Sequence, residues 1–580
     1  MRRHSLSLVG SVIVGASLLL AGCGASTPTA TVPSAPAKIG NTALVALPPQ
    51  VSPNWWFPVM SAAACSVYNA QMNYLMYVPL LHVSKTDNID YNRSLAKSVT
   101  PNASGTVYTI QLHHKWHWSN GSPVTSADVV WSAKLLLYAS GSGSLPWNNC
   151  GTGIGGVPTI WQSVTANGPY QVVVTLNKPV NPVWFIHNGL GQIFPVPKSV
   201  WDIHKNLTNE MTFINSVANT PQSPYYNVVD GAFKYDAAAS KPNNQYWSFV
   251  PNSSYDGHKA SLSKLVFQYE ASNTAEFSAL KTGALNVGYL PYSMYADRTQ
   301  LSNDAFFTTD VFGFNYAPFN FNINAPGGFG QIIKNRYARY ALEMGVNQPA
   351  ISQQLYHGYA VPEFGPIPAT PKNQFNDPSI TDPYPYNPAA GKKLLEANGW
   401  VMKNGVMTKG NLKFAFTMTY VAGSTSVKDI SEILKTDWAK EGIQVTLQSQ
   451  QFNSMITVTN QAKANGSKWS LNWWGGGWAY EPDFYPTGGG LFSSTGGANY
   501  GGYTSTTMDS LIKKTYESGT PSQVTSRLDA YQSWATQDAP VLWLPEPKLF
   551  NETALYVHGV EASWNPVLYA FFPNYWTVTH

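Results

Sequence analysis

The chain has 580 residues, a formal net charge of +4 and a charged fraction of 11%, against roughly 25% in an average soluble protein. Its basic residues are scattered rather than gathered in a patch, which argues against a nucleic-acid partner, and its length suffices for two or three domain-sized units with real cores. A surface of neutral polar groups changes its charge little with pH, so we expect work outside the cell in a variable, acid-tolerant setting, with stability nearly flat from neutral to acid pH.

The first residues carry the sharpest signal. Arg2 and Arg3 precede a run from Leu6 to Leu20 that is apolar or small throughout, and Leu20-Ala21-Gly22-Cys23 closes it with small residues. The run is too short to cross a membrane comfortably and has the charge asymmetry of an export signal, expected over residues 1–22. Its ending resembles the bacterial lipoprotein signal, which implies lipidation of the Cys23 thiol and an exported body anchored at a membrane surface; an ordinary secretory signal with a chance cysteine is the alternative. Residues 23–45 read as a flexible tether, since their Ser, Thr, Ala and Pro bury too little apolar surface to order themselves. Of the three cysteines, Cys65 and Cys150 then remain, a candidate disulfide in an oxidising compartment or else two free buried thiols.

Further along, residues 108–112 alternate like a strand, Asn120-Gly121 marks a turn, and Thr125 with Asp128 three residues on predicts a capped helix start. Asn387 as N-cap, Pro388 at the first helical position and Gly399 as stop frame an amphipathic helix, and Val524, Leu528, Tyr531 and Ala535 form one stripe of another. Strands and helices alternate to the end, which predicts α/β lobes. Residues 473–486 then bring three glycines, Trp473, Trp474 and Trp478, and the acids Glu481 and Asp483, a combination suited to holding an ammonium beside aromatic planes.

In chain order the sequence also carries Leu95-Ala96, the Tyr108-Thr109 strand, the Trp118 to Val130 turn and helix, Asp230-Gly231-Ala232-Phe233, Ala279-Leu280 with Gly283 and Asn286, Arg336 to Leu342, Tyr386-Asn387-Pro388, Asn398-Gly399-Trp400, Asn499-Tyr500-Gly501, Met508-Asp509 and Asp538-Ala539-Pro540. This succession resembles the solute-binding lipoproteins of oligopeptide, dipeptide and nickel ABC transporters. The resemblance implies a two-lobed periplasmic-binding-protein fold of α/β class with two hinge crossings, near 290–310 and 540–545. It implies a discontinuous first lobe (46–74, 191–300 and 546–580), an inserted subdomain (75–190) and a second lobe (301–545). It further implies capture of peptides by hinge closure, delivery to membrane permease subunits, a monomer without cofactor, and no bond broken.

In such proteins an acid after the cleft tryptophan takes the peptide's free ammonium; here that position holds Glu481, one methylene longer than the usual Asp, with Asp483 as second candidate. Trp473, Trp474 and Trp478 would line the cleft, and Tyr420 and Ser424 would reach it. No arginine stands between residues 417 and 435, only Lys428, which favours longer or uncharged guests over strict dipeptides. Oligosaccharides are the main alternative guest, since 20 Trp and 33 Tyr can stack on sugar rings. A metal site at His113, His114 and His117 is disfavoured because strand alternation separates the first two. An enzyme acting on glycosides or peptides through Glu481 and Asp483 is a further alternative, although no nucleophile elbow, zinc-protease helix or phosphate loop is found.

Overall fold

The computed structural model describes residues 40–48, 52–460 and 466–579; the expected signal and the lipidation at Cys23 lie outside them. The chain enters a seven-stranded sheet at once. Its spatial order is Asp304–Thr309, Leu549–Ala554, Val287–Tyr289, Thr42–Leu47, Lys264–Tyr269, Tyr246–Pro251 and Phe233–Tyr235. Thr42–Leu47 runs parallel to Lys264–Tyr269 along its full length, and a parallel pair needs a long crossover; here more than 200 residues intervene, among them the inserted part and the sheet's own strands Phe233–Tyr235 and Tyr246–Pro251. Two expected boundaries move. Pairing begins at Thr42, so the tether drawn to residue 45 overlaps a strand, and Asp304–Thr309 pairs with Leu549–Ala554 inside this sheet, so the second unit starts near residue 310 rather than 301.

The inserted part is a four-stranded antiparallel sheet of Ala96–Pro101, Val107–Leu112, Gln171–Leu176 and Trp161–Ala166. Its inner residues Tyr108, Ile110, Leu112, Val172, Val174 and Leu176 alternate with more exposed ones, as period-two patterning requires. The helix Ser126–Ala139 packs on this sheet. The backbone N–H of Thr125 donates to Asp128 Oδ2 at 2.8 Å, and Asp128 Oδ1 accepts from the Lys198 backbone at 2.9 Å, so one carboxylate caps the helix and pins the chain that returns from the insertion.

In the second unit Ala415–Val421 is the centre of a parallel three-stranded sheet, flanked by Gln444–Gln450 and Leu471–Trp473. The helix Thr425–Lys440 makes the crossover and buries Val427, Ile430, Leu434 and Trp438, a stripe of helical period. Gly313–Pro318 pairs antiparallel with Val541–Leu544 on one side and with the short strand Trp478–Ala479 on the other. The two units therefore exchange chain at residues 310–312 and 545–548, a few residues beyond the positions expected. An ion pair of Lys548 with Asp310, 2.9 Å, ties the two crossings together. No helix among the described residues is long and apolar enough to cross a membrane.

Candidate functional site

Where the second unit faces the first, a small cavity of about 30 Å³ is walled by Met60, Asn73, Cys150, Gln192 and Phe194 on one side and by Glu481 and Pro482 on the other. Each wall has a local cause. The helix Val67–Met76 starts at Ser66, whose hydroxyl accepts from Asn69 N at 3.2 Å, and it carries Asn73 to the cavity and Tyr74 to Glu481. Phe194 packs edge-on against Tyr74, ring centroids 5.2 Å apart. Cys65, just before that helix, and Cys150 are paired with Cα atoms 5.7 Å apart, so the 149–151 turn is held against the helix start. Gln192 donates both amide hydrogens, to Ile154 O at 2.9 Å and Asn188 O at 2.5 Å.

Glu481 enters from the second unit because Trp478–Ala479 pairs with Phe314 and Gly313, and Tyr480 N donates to Phe312 O at 3.0 Å, right at the crossing. Its carboxyl is pushed up to about 7 by burial, and the Tyr74 hydroxyl bound to it works in the opposite direction. It is the single ionisable side chain on the cavity wall, and no lysine or arginine joins it.

The other expected site residues fall elsewhere. Trp473, expected to line the cleft, is fully buried, its indole N–H donating to Asn315 Oδ1 at 3.2 Å; it ends the flanking strand Leu471–Trp473, whose end packs on Gly313–Pro318 in the core. Trp474 is half-buried and stands edge-on to Tyr316 at 5.4 Å, and half-buried Trp478 sits in the strand beside Phe314; neither reaches the cavity that holds Glu481. Asp483, the second candidate acid, is 2% exposed and accepts from Asn188 Nδ2, while Asn188 Oδ1 accepts from Tyr485 N at 2.6 Å. Asp483 therefore locks its loop to the inserted part, and burial raises its pKa. The glycines serve the same packing: a Cβ on Gly477 would meet Phe314 O at 2.1 Å, and Gly475 has φ +75°. Tyr420 lies next to the end of the central strand, paired with Trp473, and Ser424 caps the helix Thr425–Lys440, its hydroxyl accepting from Val427 N at 3.4 Å. The three histidines stay apart. His113 bonds Tyr91 O, His114 stacks on Tyr170 at 3.9 Å, and His117 faces Asp256 at 3.1 Å.

Asn73, Tyr74 and Gln192 escaped the sequence reading, since their nearness to Glu481 rests on contacts some 290 to 410 residues apart. One faint signal existed: Val67–Met76 carries Asn69, Gln71 and Asn73, three amides that turn out to be buried, an unusual content for a helix that serves packing alone.

The family model described as bacterial extracellular solute-binding proteins, family 5 (middle region), matches residues 90–498. The chain belongs to this family. Among the relatives of this family-5 protein, the oligopeptide-binding protein AppA of Bacillus subtilis is 23% identical over 482 residues, 80% of each chain. The structure of Bacillus subtilis AppA in complex with a nonapeptide superposes with TM-score 0.76 at 19% identity, covering 93% of this chain and 99% of that one. NikZ of Campylobacter jejuni, in complex with Ni(L-His), superposes with TM-score 0.71 at 18% identity, covering 90% and 95%. The α/β architecture is thus that of the two-lobed solute-binding proteins.

Proposed function

We propose that this family-5 protein is the substrate-binding component of an ABC importer, which captures peptides at the outer face of the membrane by closing its two units and presents them to permease subunits. The observation that carries this reading is the position of Glu481, a lone acid at the wall between two units joined by only two crossings. An ammonium is the group such a part-buried acid holds best. The oligopeptide named for AppA and the nonapeptide in its structure support a peptide guest. The burial of Trp473 takes one broad ring away from sugar stacking. Separation of Asp483 from the cavity removes the carboxylate pair that glycoside chemistry needs, which favours binding over turnover. Anchorage through Cys23 and a monomeric body complete the proposal.

Calorimetry with a free-amine pentapeptide tests it. Glu481→Gln is expected to weaken binding roughly tenfold or more, the worth of a charge-assisted hydrogen bond. Because the Glu481 carboxyl is raised to about 7, its charged form gains above that pH, so wild-type affinity should rise between pH 5 and 8 while the variant stays level. Equal affinity of both proteins for the peptide would sink the assignment.

The Cys65–Cys150 bond closes a loop spanning 85 residues, and we propose that it forms on export. Chain entropy gives such a crosslink about 2–4 kcal/mol, so reduction should lower the melting temperature and weaken the peptide, and a Cys65→Ser, Cys150→Ser double variant should be indifferent to reductant.

A further inference from the structure

The inserted part and the second unit meet, beside the cavity, through amides, carbonyls and one carboxyl. Asn188 lies in Phe185–Gly189, where the chain widens into a π-turn, a rare form that is frequent at functional sites. Its side chain is fully buried and is spent on one loop of the second unit. Nδ2 donates to Tyr485 O at 2.8 Å and to Asp483 Oδ1, and Oδ1 accepts from Tyr485 N at 2.6 Å. Its backbone carbonyl receives Gln192, from the cavity wall. Seven residues earlier, Asn181 gives its backbone N–H to Tyr516 O at 2.8 Å and its Nδ2 to Thr515 O at 3.1 Å. Those carbonyls end the helix Thr506–Thr515 of the second unit, where a helix has no donors of its own left to offer them. Parting the units breaks all of these bonds together.

Asp483 is 2% exposed, and its Oδ2 is buried without a partner. The groups that face it are Asn188 across the contact, Tyr480 in its own loop, Tyr516 at the end of Thr506–Thr515 and Tyr531 on the helix Pro521–Asp538. None is a cation, and burial keeps the three phenols protonated far above neutral pH. A carboxylate placed there loses its water and gains no opposite charge, so burial favours the protonated form. Once the units part, water reaches Asp483 and that cost is gone. Two further titratable groups share the contact. His187 has Nδ1 2.8 Å from Val183 O and Nε2 3.3 Å from Asp87 O, and Asp87 O also accepts from Gln374 Nε2 of the second unit at 3.1 Å.

We propose that Asn188 and Asp483 form a proton-dependent clasp between the units, which stay shut while Asp483 carries its proton and part more often as it ionises. The proposal rests on the reading that a guest is captured between two units that open and shut, and it adds what sets the frequency of opening. The shut form holds one proton more than the open form wherever Asp483 is protonated in the first and ionised in the second. The shut-to-open ratio therefore rises as pH falls toward the ordinary carboxyl range, by up to roughly tenfold per pH unit.

Amide hydrogen exchange of the whole protein tests it. The Tyr485 N–H, held by Asn188 Oδ1, exchanges when the clasp opens, so its protection factor, with the intrinsic pH dependence of exchange divided out, reports the shut-to-open ratio. Without guest, that protection is expected to rise from pH 8 to 5 by up to roughly tenfold per unit. Asp483→Asn keeps an acceptor for Asn188 and has no proton to lose, so its protection should stay level with pH. Asn188→Leu should lose protection roughly tenfold or more at every pH and admit penta-alanine correspondingly faster in stopped flow. Should Asn188→Leu not fold, Asp483→Asn decides alone. Level protection in the wild type overturns the clasp. An undiminished slope in Asp483→Asn overturns it too and assigns the proton to Asp87, His187 or Glu481. Binding of penta-alanine together with level protection overturns the clasp and leaves peptide capture standing. The expected slope, lost in Asp483→Asn, with no binding of penta-alanine overturns peptide capture and keeps the clasp.

Discussion

Arg339→Met is expected to lower stability by about 3–5 kcal/mol, the usual cost of stripping one partner from a buried ion pair. The guanidinium is 3% exposed and every face of it is used: Nε donates to Asp538 O at 3.1 Å and Ala539 O at 2.9 Å, Nη1 to Ile333 O at 2.8 Å, and Nη2 to Asp538 O at 2.8 Å and the Asp538 carboxylate at 3.1 Å. Asp538, itself 3% exposed, also receives the Tyr503 hydroxyl at 2.6 Å and Arg336 at 2.5 Å. Methionine fills much of the volume but leaves the Asp538 carboxylate with Arg336 as its one cation and several helix-end carbonyls without donors. At about 2.1 cal/mol/K per residue over roughly 540 residues, 1 kcal/mol corresponds to about 1 °C, so the melting temperature should fall by about 3–5 °C. Arg339→Lys should recover little, because a point charge cannot reproduce five fixed donors. A melting temperature within about half a degree of wild type for Arg339→Met would show that the pair is dispensable.

That pair also shows how far the sequence could be read. The order Arg336 to Leu342 and Asp538-Ala539-Pro540 was visible as a succession, yet nothing local says that the two segments meet. Features whose cause is local were legible: the Thr125 and Asp128 cap, and the helix Pro388–Ala397 with Asn387 accepting from Ala390 N at 3.0 Å and Gly399 at φ +83°. Glu481 was legible through its place after Trp478. The roles of Trp473, Asp483 and the three glycines were not, because an aromatic and glycine-rich stretch has the same composition whether it faces a guest or packs on the neighbouring strand. Here the strand Gly313–Pro318 decides, by bringing Phe314 O to Gly477 and Asn315 to Trp473. The unit boundary near residue 310 was misplaced for a similar reason: Asp304–Thr309 has no partner in sequence and finds one in Leu549–Ala554.

The protein should grow more stable as pH falls from 8 to 5, by about 5–10 kcal/mol and hence about 5–10 °C in melting temperature. Burial raises the carboxyls of Glu276, Glu546 and Glu552 to about 8 and that of Glu441 to about 9, and it pushes Asp87, Asp230, Glu343 and Glu363 upward as well. In the unfolded chain such groups titrate near 4. Between about pH 4 and 8 the folded protein therefore holds more protons than the unfolded one. Stability from these groups is complete below about pH 4 and is lost as pH rises through their folded values. His82 and His187, lowered by burial, act in the opposite sense below about 6.5, but they are two against at least eight. A net difference of two protons already gives about 3 kcal/mol per pH unit. The flat profile expected from the low charge content thus gives way to a slope, since it is the buried carboxyls and not the neutral surface that set the pH response. Glu441 is the place to test the cause: it is fully buried, and neither of its oxygens has a partner. Glu441→Gln should stabilise the protein at pH 8, leave it almost unchanged at pH 4, and flatten the slope by about 1.4 kcal/mol per pH unit. A melting temperature that falls between pH 7.5 and 5 would mean that these carboxyls are ionised in the folded protein, and the expectation of acid tolerance would fall with it.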